Sequence, residues 1–314
     1  MTKKIRGLIW RVAVASWSVA LLATGGCASS SGVEEAAPRG ALRILLTNDD
    51  GYQSPGIRAV RVALEAAGHE VTMVAPLENR SGSGSSTTTS GSLELREQGP
   101  KTWSVGGTPA DAVRIGLDVV LADAVPDLVV SGANFGQNIG PSTLTSGTVG
   151  AALTAMQAGI PAIAISVQIN TREVRTEPRF KSTIAAFPAA SALVVRIIDE
   201  LDRSRSYPEP LLPAYTALNV NYPALLPGSV EGVAWARIGR GHDFHFGYER
   251  RERGTDNVGV VFRPGAGEEP VSRADTTYIA SGYATITVID GDIEAAEVQT
   301  ERMQERLGAV APKR

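Results

Sequence analysis

The sequence predicts an α/β fold: a Rossmann-like, mostly parallel sheet with helices on both faces, followed by a smaller, partly antiparallel C-terminal subdomain or arm. Short apolar runs of strand length alternate with longer segments whose apolar residues recur at helical spacing, which is the pattern of repeated βαβ units. The early runs are apolar throughout, as in parallel strands that are covered on both faces. Beyond about residue 233 the runs alternate instead, which is typical of strands with one exposed face.

The composition is that of a globular protein with a small-molecule ligand. The chain has 314 residues, of which 43% are hydrophobic and 20% charged, enough for a sizeable core in one large domain or two small ones. A formal net charge of -3 and a pI near 5.8 give no broad positive field, and aromatic residues make up only 5%. Both values argue against a nucleic-acid polymer as the main partner.

The first residues form a predicted export signal. Four basic residues between Lys3 and Arg11 precede an apolar stretch at 12–23 and a small-residue processing site that ends at Cys27. This order resembles a bacterial lipoprotein signal, after whose cleavage Cys27 would carry lipid in a periplasmic or membrane-anchored protein. Cys27 is the only cysteine, which excludes an internal disulfide. An ordinary cleaved export signal and a buried N-terminal helix are the alternatives.

Four segments are predicted from this organisation. Residues 1–27 are the signal segment, and residues 28–40 are a flexible tether of Ser, Gly, Glu, Ala and Pro with little to bury. Residues 41–170 form the Rossmann-like catalytic core. Residues 171–314 add a helix, a β arm and a closing helix that complete the same domain.

The first predicted strand begins at Ile44 and stops at an acidic motif, Asn48-Asp49-Asp50-Gly51. A helix over 57–67 and a strand over 70–75 complete one right-handed βαβ unit. Ligands of open parallel sheets bind beyond the carboxyl ends of the strands, so Asp49 and Asp50 are candidate site residues. The alternative is a solvated turn, because Asn, Asp and Gly are common turn residues.

Two further segments follow strands at the same predicted edge. The Ser, Thr and Gly-rich segment 79–92 comes after the second strand and contains Ser81, although on composition alone a flexible linker is the better explanation of this segment. The strand at 126–131 opens into a glycine-spaced loop over 132–140, in which Asn134 offers a neutral oxygen.

Ser146, Gly147 and Thr148 precede a helix predicted over 149–158. Free N–H groups at a helix N-terminus favour anions, so this point is a candidate phosphate site, and N-capping by Ser146 is compatible with it. The remaining predicted elements are a strand at 103–105, a helix from 108 to about 122, strands at 161–167 and 214–220, a helix at 180–203 broken or kinked at Pro188, strands at 233–238 and 283–289, and a helix at 293–307.

Asp49, Asp50, Ser81 and Asn134 supply oxygen atoms only. Hard divalent cations such as Mg²⁺, Mn²⁺ or Ca²⁺ prefer such ligands, and a cation beside an anion site indicates phosphoryl hydrolysis. A metal clamp at His242 and His245 is less consistent with the sequence, since no third ligand with matching spacing is present, and we expect both histidines at the surface.

Five motifs resemble, in order and spacing, the SurE survival-protein family of nucleotidases: TNDDG at 47–51, NRSG at 79–82, GTPAD at 107–111, VSGAN at 130–134 and SGTV at 146–149. The resemblance covers residues 42–166 strongly and 283–287 more loosely. It implies a metal-dependent acid phosphatase that acts on nucleoside 5′- or 3′-monophosphates and forms dimers or tetramers through exchanged C-terminal segments.

Carried over by position, the resemblance assigns Asp49, Asp50, Ser81 and Asn134 to the metal, and Ser146, Gly147, Thr148 and Asn48 to phosphate. Asp49 and Asp50 are also the candidates for orienting or deprotonating the attacking water. The chain departs from the family at Thr145, where His or Tyr is common, and at Phe135, which follows Asn134. These departures leave the implied metal ligands intact and concern the leaving group.

Two other function classes remain open from the sequence. A non-enzymatic lipoprotein could bind a phosphate compound in the same cleft. A nucleotide-sugar transferase also starts with a strand and a Gly-rich turn, but would need a second full nucleotide-binding domain, for which the remaining length leaves little room.

Overall fold

The computed structural model describes residues 40–173, 175–226, 228–241, 244–251, 256–265, 268–292 and 297–307. The predicted signal segment with Cys27, the tether up to residue 39, His242 and the tail at 308–314 lie outside the described residues, as does the side chain of His245.

The described part contains eleven strands and six α-helices, whose bounds are β1 Arg43–Thr47, α1 Pro55–Ala66, β2 Glu70–Pro76, β3 Leu95–Gly99, β4 Thr102–Val105, α2 Pro109–Ile115, β5 Leu128–Phe135, α3 Gly147–Gln157, β6 Ala162–Val167, α4 Lys181–Ser204, β7 Ala217–Tyr222, β8 Gly232–Trp235, β9 Phe244–Arg250, β10 Val258–Pro264, α5 Asp275–Ala280, β11 Tyr283–Ile289 and α6 Glu297–Arg306. Shorter turns are a π-helical continuation of α2 at Gly116–Val120 and 3-10 segments at Gly140–Thr145 and Thr171–Glu173.

Nine strands form one sheet in the order β3-β4-β2-β1-β5-β6-β7-β11-β8. Six neighbouring strands of this sheet run parallel to one another, in the order β4, β2, β1, β5, β6 and β7. Strand β3 is antiparallel to β4, and β11 is antiparallel to β7. The predicted α/β class with a mostly parallel sheet is therefore confirmed. Because the central strands are parallel, the chain segments that follow β1, β2, β5 and β6 all leave at the same edge.

Helices cover both faces of the sheet, as predicted. Ile44 and Leu46 of β1 belong to one buried apolar cluster, whereas Leu45 belongs to a second cluster on the opposite face. Helices α1 and α4 pack on the first face, and α2 and α3 pack on the second. Burial of these two faces is the main source of stability for such a sheet.

The arm predicted in the C-terminal part corresponds to the antiparallel pair β9 and β10, which forms a separate two-stranded sheet. The strands predicted on either side of it, β8 and β11, extend the edge of the main sheet instead. Among the described helices, none combines the length and apolar character needed to cross a membrane.

Some local expectations differ from the structure. Helix α4 runs uninterrupted through Pro188, which lies exposed, so water can hydrogen-bond the carbonyl that proline leaves without a donor. Strand β5 continues through Gly132 to Phe135, where a loop was predicted, with a register shift against β6 between Ser131 and Asn134. Strand β3 and helix α5 were not predicted, since β3 is too polar and α5 too short to show a period.

Candidate active site

The acidic motif lies in a turn beyond β1. The strand ends at Thr47, two residues before Asp49, so the two aspartates are not forced to opposite faces of the sheet. Asn48 is fully buried, and its Nδ2 donates to the Gly51 carbonyl at 3.0 Å and to Ser54 Oγ at 2.8 Å. Asn48 therefore shapes the turn, and this side chain does not line the cleft described below.

Asp49 lies at the N-terminus of α3 and is only 2% exposed. Its Oδ1 accepts a hydrogen bond from Thr148 Oγ1 at 2.7 Å, and its Oδ2 accepts one from Thr148 N at 3.2 Å. Burial raises the pKa of Asp49, and the hydrogen bonds from Thr148 oppose that rise. The dipole and unpaired N–H groups of the helix thus stabilise a carboxylate of the protein itself.

Helix α3 approaches this carboxylate closely because it begins with glycine. A Cβ atom on Gly147 would lie 2.7 Å from Ser83 Oγ and 2.9 Å from Asp49 Oδ2. One turn later, a Cβ on Gly150 would lie 2.2 Å from the Gly84 carbonyl oxygen. Any side chain at either position would displace the Ser- and Gly-rich segment or the aspartate, so this segment is packed against α3 and is not a free linker.

Asp50 is the neighbour of Asp49 and is held by other groups. Its Oδ2 accepts from Phe135 N at 2.8 Å, and its Oδ1 accepts from Asn79 Nδ2 at 3.3 Å. Burial first, and then the negative charge of Asp49, raise the pKa of Asp50 to about 6, while the hydrogen bond from Phe135 acts in the opposite direction. No cationic side chain in the described ranges forms an ion pair with either aspartate.

Four of the predicted site residues line one cleft of about 350 Å³: Asp49, Ser81, Asn134 and Ser146. Asn134 is 7% exposed, and its Nδ2 donates to the Gly136 carbonyl at 2.7 Å. This bond fixes the amide and leaves its oxygen as an acceptor for a ligand. The parallel sheet thus brings together residues that are separated by up to 97 positions in the sequence, as the strand-end argument predicts.

The other predicted site residues have different contacts. Asn48, Asp50, Gly147 and Thr148 do not line the cleft, and Thr148 directs both its N–H and its hydroxyl to Asp49. In the described contacts, Asn48 and Thr148 bond protein groups, and their predicted phosphate contacts stay predictions. The N-terminus of the helix already has an anion beside it in Asp49. Ser146 Oγ accepts the capping bond from Val149 N at 3.1 Å, which leaves its O–H free to donate into the cleft.

One buried polar network near the cleft was missed in the sequence. Asn138 N donates to Asn221 Oδ1 at 2.7 Å, its carbonyl accepts from Asn219 Nδ2 at 2.8 Å, and its side chain donates to Ser166 Oγ at 2.9 Å. These bonds fix the loop after β5 to strands β6 and β7. The signal was two asparagines, two positions apart, inside an otherwise apolar strand, since polar residues on one buried face need partners.

The cleft also has an apolar part that includes Phe135, Ile169 and Phe246. Thr145 and Phe135, the two departures from the family motif, both line it. In the described part of the chain, no cluster of three or more His, Cys, Asp or Glu side chains is close enough to hold a metal. Any metal in this cleft would therefore have to use amide and hydroxyl oxygens beside the carboxylates.

This is an α/β protein with a mostly parallel sheet and a cleft, lined in part by oxygen atoms, beyond the carboxyl ends of the strands. Ligands of such proteins bind at this place. The family model described as Survival protein SurE matches residues 44–244, and the chain belongs to this family.

Relatives and a solved structure agree with this membership. The chain is 34% identical over 254 residues to the 5′-nucleotidase SurE of Hyphomonas neptunium, covering 80% of this chain and 94% of the relative. It is 36% identical over 254 residues to the 5′-nucleotidase SurE of Rhizorhabdus wittichii, with the same two coverages. The crystal structure of the SurE protein from Aquifex aeolicus is similar with a TM-score of 0.68 and 30% identity, covering 84% of this chain and 99% of that one.

Replacement of Thr148 by valine tests the contact between Asp49 and α3. The hydroxyl bond to Asp49 Oδ1 is lost at nearly constant volume, and we expect the free energy of unfolding to fall by about 1.5–3 kcal/mol, as for a hydrogen bond to a charged group. Thr154→Val is the matched control, because Thr154 is buried in the same helix and donates only to the Gly150 carbonyl. Urea unfolding at neutral pH should show a smaller loss for the control, and equal losses would contradict the assignment.

Proposed function

We propose that this protein is a metal-dependent phosphatase that hydrolyses nucleoside 5′- or 3′-monophosphates. Its relatives are named 5′-nucleotidases, and the family membership makes this chain a phosphoric monoester hydrolase. The observation that carries the proposal is a pair of neighbouring, mostly buried carboxylates that have no described cation beside them and adjoin a cleft with a free amide oxygen.

The residues of the site fit a divalent cation. Burying two adjacent carboxylates is costly unless a positive charge compensates them, and the pKa of Asp50 is raised first by its burial and then by the negative charge of Asp49. Asp49, Ser81 and Asn134 present oxygen atoms to the same cleft, and Asp50 adds its charge next to them. Hard cations such as Mg²⁺, Mn²⁺ or Ca²⁺ match this set better than zinc, which prefers His and Cys.

The reaction is hydrolysis of a phosphate monoester, in which water attacks phosphorus and the bond to the leaving alcohol breaks. A bound cation would polarise a phosphoryl oxygen and lower the pKa of a water molecule. Asp49 lines the cleft, so it is placed to orient the attacking water and accept its proton. Ser146 can donate its O–H to a phosphate oxygen from the N-cap of α3.

The apolar part of the cleft is the proposed site for the leaving group. Phe135, Ile169 and Phe246 offer contact area to a nucleoside, whereas Thr145 and Ser142 offer hydroxyls. Because Phe135 and Thr145 depart from the family pattern, the preference among leaving groups is expected to differ from that of other members, and a panel of nucleoside monophosphates and simple esters would show this.

Phosphate release with and without added Mn²⁺ or Mg²⁺ tests the proposed function. We expect turnover that requires the metal, and we expect Asp50→Asn and Asn134→Ala to lower kcat/KM by orders of magnitude while the protein stays folded. Asp118→Asn is the control, since Asp118 is exposed on the π-helical turn after α2. Full activity in excess chelator, or normal turnover in either site variant, would contradict the metal assignment.

Metal binding should depend on pH in a defined direction. The cation binds the charged carboxylates, and the pKa of Asp50 near 6 means that below this value a proton must be displaced. The affinity for Mn²⁺ should therefore rise as pH increases through about 6. Calorimetric titrations between about pH 5 and pH 8 would measure this, and a flat profile over the lower half of that range would be inconsistent with binding at Asp50.

The raised pKa of Asp50 also predicts how the stability of the metal-free protein depends on pH. Because the folded-state pKa of Asp50 lies above its ordinary value of 3.8, the folded state holds a proton that the unfolded state has already released. This contribution to the free energy of unfolding is therefore present below about pH 4 and is lost as pH rises through about 6. Added Mn²⁺ should reverse the loss at neutral pH.

The non-enzymatic lipoprotein that the sequence left open receives no support from the relatives, which are named 5′-nucleotidases. The phosphate-release assay distinguishes it from the enzyme. The nucleotide-sugar transferase receives no support, since the described strands form one large sheet and one hairpin and no second nucleotide-binding sheet.

Location and assembly complete the proposal. We place the enzyme in the periplasm or on the membrane through lipid at Cys27, where it would meet exported phosphate esters; recovery from the cytoplasm with its first residues intact would contradict this.

The arm exposes Phe246, Tyr248, Val258 and Val260, each at least 60% accessible, which suits contact with a second copy in a dimer or tetramer. Light scattering in solution measures that assembly.

A further inference from the structure

Two carboxylates lie at the base of the arm, remote in sequence from every motif at the cleft. Asp275, at the start of α5, is fully buried, and Glu269 precedes it by six residues. Neither forms an ion pair with a described cation. A buried carboxylate without a cationic partner, such as Asp275, is costly unless hydrogen bonds satisfy it. Glu269 is partly exposed and bonds the same residue as Asp275, Thr276.

Both side chains hold main-chain N–H groups. Asp275 Oδ1 accepts from Gly239 N and from Thr276 N, each at 2.8 Å, and Gly140 N donates to both oxygens, at 3.1 Å to Oδ2 and at 3.2 Å to Oδ1. Glu269 Oε2 accepts from Gly241 N at 2.7 Å and from Thr276 Oγ1 at 2.7 Å. The pair therefore ties together the segment that leads into the arm, the start of α5 and one residue beside the cleft.

The residue beside the cleft is Gly140, the first residue of the segment 140–146, which we call the cleft wall. Gly140 opens the 3-10 segment Gly140–Thr145, and Pro141, Ser142 and Thr145 of this segment line the cleft. Gly140 has a φ of +51°, and a Cβ there would lie 2.7 Å from the Gly241 carbonyl oxygen. The backbones of the cleft wall and of the segment leading into the arm are thus in close contact at this point, on the two sides of the carboxylate pair.

A separate set of hydrogen bonds holds the chain just before the cleft wall. Asn138, two residues before Gly140, is held by the asparagines of β7. The start of the wall is therefore held between Asn138 and the bonds from Gly140 to Asp275, while its end is held by the bond from Gly84 N to the Thr145 carbonyl at 3.0 Å. Gly241 is also followed by β9, whose Phe246 lines the same cleft.

We propose that Asp275 is a positioning residue for phosphate-ester binding, which holds the cleft wall at 140–146 in register with Asp49 through its bond to Gly140 N. The proposal rests on the proposed function, because the wall is where the phosphate and leaving group would lie. Asp275 itself does not line the cleft and touches no reacting atom.

Asp275→Asn weakens this link selectively. The amide keeps its bonds to Gly239 N and Thr276 N if its oxygen takes the place of Oδ1, because the opposite orientation would lose both. Gly140 N then keeps only the longer of its two bonds, at 3.2 Å to that oxygen, and the NH₂ group that replaces Oδ2 opposes it as a second donor. The substitution therefore loosens the cleft wall while it preserves the shape and most contacts of the buried side chain.

The test compares full-length wild type, Asp275→Asn and the control Asp118→Asn in the presence of Mn²⁺. We expect kcat/KM for a nucleoside monophosphate to fall by about one to two orders of magnitude in Asp275→Asn, mainly through KM, because a misplaced wall weakens substrate binding. The Kd for Mn²⁺, measured by calorimetry, should stay within about twofold of wild type, since the bonds of Asp49 and Asn134 are untouched. Asp118→Asn should match wild type in both.

Inorganic phosphate, titrated into the Mn²⁺-loaded proteins, gives a readout that does not require turnover. Its affinity should weaken at least about fivefold in Asp275→Asn. If wild type released no phosphate from any ester but this difference in binding remained, the proposed function would fail and the positioning role would stand.

Other outcomes overturn the inference. Unchanged KM and unchanged phosphate affinity in folded Asp275→Asn would contradict the positioning role. A loss of Mn²⁺ binding together with the loss of phosphate binding would also contradict it, because this indicates general structural damage. If Asp275→Asn does not fold, Glu269→Gln takes its place, because Glu269 is more accessible and holds the Gly241 side of the same link. A smaller rise in KM with normal Mn²⁺ binding is then expected, and no rise would refute the role.

Discussion

The hydrogen bonds between Asp49 and the N-terminus of α3 are the constraint on which the site depends. They require β1 to end before the acidic motif, α3 to begin with a glycine, and the Ser- and Gly-rich segment to pack across both. A buried carboxylate without such donors would take up a proton and lose the charge that a cation needs. The parallel sheet supplies the edge at which these three segments meet, and the helix dipole supplies part of the compensation for burial.

Much of the fold could be predicted, because its signals are local and periodic. The apolar runs of β1, β2, β5 and β6 and the capped helices α2 and α3 are visible in the sequence, and Thr108 forms the predicted cap of α2. The edge strand β3, the short helix α5 and the continuation of β5 carry no such signal. Their conformation is set by contacts with other elements, such as the pairing of β3 with β4 and of the end of β5 with β6.

The site could be predicted as a set of positions but not as a set of contacts. Asp49, Ser81, Asn134 and Ser146 meet in one cleft because strand ends converge, which the topology alone dictates. That Thr148 donates to Asp49, and that Asn48 closes the turn, depends on where individual donors point after packing. The two asparagines of β7 show that polar partners are needed, but not that the partner is Asn138, which lies 81 to 83 residues away in the sequence.

The cleft draws its two kinds of surface from different parts of the chain. The oxygen atoms come mainly from the ends of central strands, where a substitution would disturb the sheet edge, whereas Thr145, Ile169 and Phe246 come from the segments between and beyond those strands. Substitutions in the second group can alter which alcohol the site accommodates without disturbing the first. A family with this arrangement can therefore vary the residues around the leaving group while its acidic turn stays the same.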